Sequence, residues 1–371
     1  MKPLEQINKK IIINRKYYID NLRWLCILLL VPFHVAMAWN CWGESNYIWF
    51  SNNKVLSSLI TFISPWYMPL LFILAGISLF YSLKKRTIKQ VIKERLLKLA
   101  LPLIVGILTL IPIMTYYADK FHNGYNGNFI EHYKIFFTRF TNLTGYDGGF
   151  SPAHLWFLLY LFIISILSLG IIAMQKKFLP KLSQDNSIKH KLFLIYVLGI
   201  FPIVLTPLLN IGGKSLGLYL SLFLIGYYIF SKEDIMNLIV KMRWINLSIM
   251  IIFNITDVYM FIWSNSTNST INTIAMHFTF WFGILSILGL GKAYFNQNNR
   301  ITKYFVSRSF VFYIFHFIWI IILQYYIYKL TSNVFLIFII STIGTYIMTF
   351  FTTEIIIRIP IINSLLGVKR K

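Results

Sequence analysis

Ten long apolar runs constrain this chain more than any other feature. They lie at about 22–42, 56–80, 99–117, 154–174, 192–210, 215–230, 244–264, 272–291, 306–328 and 333–357. A helix needs about 20 apolar residues to cross the hydrocarbon core of a bilayer. Inside that core every backbone N–H and C=O must be paired within the protein, which leaves helices and closed barrels. The runs are continuous rather than alternating, so a β-barrel is excluded. The 371 residues are 57% hydrophobic and only 13% charged, against roughly 45–50% and about 25% in soluble domains. A soluble enzyme, a disordered chain and a fibrous chain are excluded with them. The expected architecture is an all-α polytopic membrane bundle of about ten transmembrane helices. It forms a single domain over 1–371, with no internal repeat or low-complexity tract.

The net charge of +23 resembles a nucleic-acid footprint in total but not in position. With the N-terminus placed inside, the inner segments collect 28 of the 35 Lys and Arg residues, and the outer segments hold six. Arg23, at the mouth of the first span, is the remaining one. Such asymmetry is the positive-inside signal; it puts both termini in the cytoplasm and implies anionic lipids, not nucleic acid, as the partners. Ala36-Met37-Ala38 imitates a signal-peptide cleavage site, but the leader is long and its removal would break the charge pattern. Cys26 and Cys41, the two cysteines, are too far apart along one helix to pair with each other. One outer loop, about 118–153, is long. It carries Gly124-Tyr125-Asn126-Gly127 and Gly145-Tyr146-Asp147-Gly148-Gly149-Phe150, a mixture suited to stacking on and hydrogen-bonding a sugar.

Ionisable groups within a membrane are costly, so each is a functional candidate. Arg23 and His34 are separated by ten residues. Eleven steps at ~100° return to within about 20° of the same helix face while rising about 16 Å. One stripe therefore carries a cation at the cytoplasmic mouth and an imidazole near mid-membrane. Asp20, three residues before Arg23, is placed to pair with it, and Pro32 loosens the helix just before His34.

Several motifs then carry a resemblance. Tyr18-Ile19-Asp20-Asn21-Leu22-Arg23, with His34 after ten residues, resembles the opening of the acyltransferase family 3 membrane proteins. Pro65-Trp66-Tyr67-Met68-Pro69-Leu70-Leu71-Phe72-Ile73-Leu74-Ala75-Gly76 resembles that family's second span. Arg95-Leu96-Leu97-Lys98-Leu99, followed by Pro102, resembles its R-x-x-R approach to the third span, with lysine in place of the second arginine. His154-Leu155-Trp156-Phe157-Leu158 matches its HLWFL segment, and Ser309 to His316, with Tyr313, resembles its late S-x3-Y-x2-H span. The resemblance covers about residues 17–358.

Members of that family move acyl groups, often acetyl or succinyl, from a cytoplasmic acyl-CoA onto carbohydrate hydroxyls, frequently of cell-envelope glycans. The resemblance thus implies an O-acyltransferase in a bacterial plasma membrane. Acyl-CoA is its donor co-substrate and a carbohydrate its acceptor, with no permanently bound cofactor and no metal. The polyanionic CoA headgroup needs cations at the cytoplasmic face, where Arg86, Arg95 and Lys98 stand. Arg23 would meet the pantetheine arm or charge near the thioester. His34 is the expected base, since histidine alone ordinarily titrates near neutral pH. Direct attack by the acceptor and a transient acyl-enzyme both remain open; the chain has no Gly-x-Ser-x-Gly elbow.

His154 and Trp156 are expected to help hold the acceptor, and Tyr313 and His316, three apart on one helical face, to line the cavity. The bundle's cavity is expected to be reached from both faces. Asp257, within the seventh span, wants a partner. Glu354 and Arg358 are four apart in the order that stabilises a helix. The competing reading is a transporter or flippase of a glycan or small molecule, with Arg23, His34 and Asp257 as polar lining. Oligomeric state is not legible in the sequence.

Overall fold

A computed structural model of the chain describes residues 15–44, 46–141, 149–178, 188–264 and 269–366. The basic leader with Lys2, Lys9 and Lys10, the Gly145 to Gly148 part of the long loop, Asn142-Leu143-Thr144, Lys181 and the basic tail lie outside the described residues.

The ten apolar runs are helical over most of their length, and the run at 192–210 leaves helix after Val204. In chain order the helices are α1 (Tyr17–Ala36), α2 (Lys54–Leu83), α3 (Ile88–Arg95), α4 (Leu101–His122), α5 (Phe129–Phe136), α6 (Trp156–Phe178), α7 (Ile188–Val197) and α8 (Ile200–Val204). After them come α9 (Leu216–Ile225), α10 (Glu233–Lys241), α11 (Arg243–Val258), α12 (Ser269–Tyr294), α13 (Arg300–Ile327), α14 (Val334–Arg358) and α15 (Pro360–Leu365). Among the described residues eight helical runs are long and apolar enough to cross a membrane; the runs His190–Val204 and Leu216–Phe230 are shorter. A two-stranded hairpin, β1 (Asn210–Ile211) and β2 (Lys214–Ser215), separates those two.

Side-chain capping sets several helix starts. Asn53 accepts from the Leu56 N–H ahead of α2, and Asn333 from the Leu336 N–H ahead of α14. Thr87 with Gln90 and Asn128 with Glu131 form capping boxes. Between α3 and α4 the chain makes a wide π turn over Leu96–Ala100. Pro102 explains it: the ring has no N–H to offer the Lys98 carbonyl and would clash with it in a regular helix.

Polar contacts sort the loops into two ends. At one end Glu233 joins Lys16, at 2.8 Å, to Lys292, and Asp234 pairs with Lys191 at 2.7 Å. Arg86 and Lys98 share Glu94, Arg15 and Arg23 share Asp20, and Arg308 pairs with Glu354. At the opposite end cations rest mostly on aromatic rings: Lys54 over Trp263, Lys120 over Tyr116, Lys214 over Trp156 and Lys329 over Tyr325. The sorting follows the alternation read from the sequence. Lys191 and Asp234 are at the basic end while Lys214, between them in the chain, is at the other, so the two short helical runs together carry the chain across and back. Both ends of the described chain lie at the basic end, through Lys16 and Glu354.

α2 is the central helix: 83% of its most apolar window is buried inside the protein, against 22% for α14. Its contact with α9 and the π turn that continues it, Gly226–Phe230, is unusually close. A Cβ added at Gly76 would sit 1.9 Å from the Phe223 carbonyl oxygen, and one at Gly226 would sit 2.3 Å from the Ile73 carbonyl oxygen. Reciprocal glycines let two backbones approach where lipid supplies no hydrophobic drive for helix association. Glu354 departs from expectation. Its carboxylate bonds Arg308 at 2.9 Å and the Tyr304 hydroxyl at 2.9 Å, both on α13, rather than Arg358 one turn away. The packing of α13 against α14 offers a closer and better aimed cation.

Candidate active site

A cavity of about 220 Å³ opens at the end opposite the basic one. Its lining comes from distant parts of the sequence: His34 on α1, Tyr67 on α2, His154 and Trp156 at the start of α6, Lys214 on β2 and Tyr219 on α9. The segment after α1 adds Trp42 and Glu44, and α13 adds Phe317. The residues of this lining belong to the end opposite the basic one.

The histidines converge. The His34 ring centroid lies 5.5 Å from that of His316 and 4.6 Å from that of Phe317. His154 and His316 are 5.3 Å apart and nearly perpendicular. Each of the last two is held by one ring nitrogen. His154 Nε2 is 3.1 Å from the Ile314 carbonyl, and His316 Nδ1 is 2.7 Å from the Tyr313 carbonyl. The remaining nitrogens, His154 Nδ1 and His316 Nε2, are buried without a hydrogen-bond partner among the described residues. Tyr313 donates its hydroxyl to the His154 carbonyl at 2.6 Å, so it tethers α13 to the start of α6 rather than lining the cavity. His316 likewise stands behind the wall, fully buried. Just before His154, Ala153 has φ 48°. A non-glycine residue in the left-handed region stores strain, a feature that gathers at functional sites.

Trp156 forms one wall, packed on Tyr160 and Tyr219 with centroids 5.5 and 5.6 Å away. Trp42 lies on the wall with its indole N–H given to Glu44 at 2.9 Å. Lys214 is held through its backbone: Tyr160 donates its hydroxyl to the Lys214 carbonyl at 2.9 Å. Burial pushes the Lys214 ammonium below the usual lysine range, and the nearby Glu44 carboxylate partly offsets this.

The basic end holds the other expected residues. Arg23 donates to the Leu74 carbonyl at 3.0 Å and the Ser78 hydroxyl at 2.5 Å, both on α2, and sits 3.5 Å from Asp20. Asp20 is closer to Arg15, at 2.6 Å. Asp20 and His34 are fourteen positions apart, about 21 Å along a helix. Asp20 is therefore a charge partner of two arginines, of Arg23 as its spacing predicts and of Arg15, and it acts at the basic end rather than at His34. Arg86 and Lys98 are both engaged by Glu94, an acid that the positive-inside reading passed over. Arg95 differs: its Nε is buried without a hydrogen-bond partner among the described residues, and it lies within electrostatic reach of Arg23, Glu94 and Arg86. Between the two levels α1 presents Cys26 and Leu30, both buried.

Five of the ten residues singled out from sequence thus meet around the cavity: His34, His154 and Trp156 on its wall, Tyr313 and His316 behind it. Sequence reading missed Trp42, Glu44, Lys214 and Tyr219. Lys214 carried a signal, as a rare outer cation beside Gly212-Gly213, a turn in which both glycines have positive φ. Asp257 is buried on α11, away from the cavity.

Comparison with known proteins agrees with the motif order. The acyltransferase domain profile matches residues 16–354, nearly the whole chain. The chain belongs to acyltransferase family 3. Within curated relatives, this acyltransferase domain is similar to glucans biosynthesis protein C of Salmonella paratyphi B (strain ATCC BAA-1250 / SPB7) and of Salmonella heidelberg (strain SL476). Each is 26% identical over 175 residues, which is 44% of this chain and 40% of the relative. No solved structure matches the acyltransferase chain.

Proposed function

We propose that this multi-pass membrane protein transfers an acyl group, acetyl or succinyl, from a cytoplasmic acyl-CoA to a hydroxyl of a cell-envelope carbohydrate, in a bacterial plasma membrane. The observation that carries the reading is the placement of His34. It shares a wall with His154 and Trp156 in a cavity opposite the basic end, and its own helix leads down to Arg23. The name of the similar relatives, which concerns glucans, favours a carbohydrate acceptor.

In this reading Arg95 and Arg23 meet the phosphates and the upper part of the donor at the basic end. Arg86 and Lys98 add to them when a phosphate displaces Glu94. The thioester arm extends along the Cys26 and Leu30 stripe toward His34. The acceptor enters the cavity from the opposite side and lies against Trp156 and Trp42. His34 takes the proton of the acceptor hydroxyl as its oxygen attacks the thioester carbonyl carbon. The C–S bond breaks, the new C–O ester bond stays with the sugar, and His34 returns the proton to the departing CoA thiolate. His154 positions the acceptor, and His316, buried behind His34, fixes that ring's place.

The test is thiol release from purified protein in nanodiscs given acetyl-CoA or succinyl-CoA, with and without envelope glycans. Acyl transfer releases one CoA thiol per event, whereas transport releases none. Glycan-dependent release that disappears in His34→Ala and weakens at low donor concentration in Arg23→Ala supports the reading. Absence of release with every donor, from folded protein, overturns it.

A further inference from the structure

We propose that Lys214 recognises an acid group, a carboxylate or a phosphate, on the substrate portion that occupies the cavity beside His34. The proposal rests on the acyltransferase reading for its chemistry, but its binding part can be tested without turnover. Lys214 is half-buried on the cavity wall with its ammonium 5.5 Å from the centre of the Trp156 ring. It has no carboxylate in ion-pair contact among the described residues, unlike Arg15, Lys16, Arg86, Lys191 and Arg308. Glu44, on the same wall, accepts the Trp42 indole N–H and offsets the burial of Lys214 only in part, without an ion-pair contact. Holding an ammonium half out of water costs free energy unless a counter-charge is supplied, and burial already depresses its protonation. An incoming anion would restore it.

The placement is built rather than incidental. Gly212 and Gly213, at φ 55° and 74°, turn the hairpin. Ile211 pairs with Lys214 in its register, and Tyr160 pins the Lys214 carbonyl. Ser215 then caps α9 by accepting from the Leu218 N–H. The lysine is thus fixed at both flanks by elements that pack on α6. A neutral sugar needs no such cation: the aromatic faces of Trp42 and Trp156 and the cavity's hydrogen-bonding groups suffice for it.

Two substrates could carry the acid: the carbohydrate acceptor or a dicarboxylic acyl chain. The experiment separates them. Wild type, Lys214→Gln, Lys214→Arg and Glu44→Gln are compared in nanodiscs by thiol release. Acetyl-CoA and succinyl-CoA are each paired with a neutral glucan oligosaccharide, a uronic-acid oligosaccharide and a phosphate-bearing one. Lys214→Gln is expected to raise KM by about tenfold for acid-bearing substrate alone, the scale of one charge-assisted contact. Lys214→Arg should retain most affinity, and Glu44→Gln should lower that KM. A penalty that follows the acidic acceptors with acetyl-CoA assigns the acid to the acceptor; one that follows succinyl-CoA with neutral glucan assigns it to the acyl chain. An equal penalty for every pair, no penalty, or a loss of kcat at constant KM overturns the proposal. In parallel, tryptophan fluorescence is titrated with the uronic-acid oligosaccharide, succinate and the neutral glucan. Anion-selective binding lost in Lys214→Gln, without thiol release by wild type, sinks the acyltransferase reading and leaves the Lys214 proposal standing. Thiol release without anion preference does the reverse.

Discussion

His34 and His316 face each other across α1 and α13 with ring centroids 5.5 Å apart and planes inclined by 37°. They are 282 positions apart in the chain. Phe317 closes the gap, 4.6 Å from His34 and stacked beside His316 at 6.1 Å. His34 is thus packed between the rings of His316, Phe317 and Phe33 at the cavity wall.

His34→Ala is expected to lower kcat by about 10²–10⁴-fold, the usual worth of a positioned base, with little change in melting temperature. Fluorescence melting of the same preparation checks the second part. Near-wild-type turnover would move the base elsewhere, with His154 the next candidate.

Substitution of Arg95 or Arg23 by alanine should raise KM for acyl-CoA by about tenfold, the scale of a charged hydrogen bond, while the acceptor KM stays put. Arg86→Ala should cost less, because that guanidinium is engaged by Glu94 before the donor arrives. Steady-state kinetics at varied donor concentration decides.

Leu30→Trp should obstruct the stripe between Arg23 and His34. Its buried side chain lies between them on α1. We expect thiol release to fall more than tenfold, with carbohydrate binding to the cavity preserved. Overpacking costs about 1–3 kcal/mol, so a thermal melt accompanies the assay. Unchanged turnover would place the donor path off this face.

Gly76→Ala should destabilise the bundle by about 1–3 kcal/mol, since the new Cβ meets the Phe223 carbonyl oxygen at 1.9 Å. Gly170→Ala is the control: nothing lies within 4 Å of its added Cβ, and alanine favours a helix by roughly 0.5–1 kcal/mol. Equal melting temperatures for the two variants would contradict the close α2–α9 approach.

His132 gives a pH dependence. It is buried 3.3 Å from Asp119, and burial holds its imidazole below the usual histidine range. The unfolded chain binds a proton here at pH below about 6.5 while the fold resists it. Stability from this site is complete above that pH and declines as pH falls toward the lowered folded value. Apparent unfolding midpoints between about pH 5 and 8 should flatten in His132→Gln. An unchanged slope would show that another group sets it.

The membrane bundle and much of the site were legible beforehand because both rest on short-range regularities. An apolar run of spanning length has one means of satisfying its backbone in lipid. Helical geometry puts Arg23 and His34 on one stripe whatever surrounds them. Asp20 shows where such reasoning stops: spacing paired it with Arg23, which it meets at 3.5 Å, but could not show that Arg15, ahead of the helix, lies closer. Glu354 shows the same limit, because its strongest partner came from α13, a helix that local spacing cannot weigh against Arg358.

What the sequence by itself determined is the helical class, the two-ended charge distribution and the residue types with the right chemistry. These follow from hydropathy, periodicity and charge, which act over a few turns of chain. Tertiary structure alone decided which of those residues meet. It brought His34, His154 and Trp156 to one wall, left Tyr313 as a tether, paired Arg86 and Lys98 with Glu94, and carried Lys214 into the cavity on a hairpin. Those outcomes depend on helix packing between positions up to 282 residues apart, where the reciprocal glycines of α2 and α9 and the buried hydroxyl of Tyr313 set the distances.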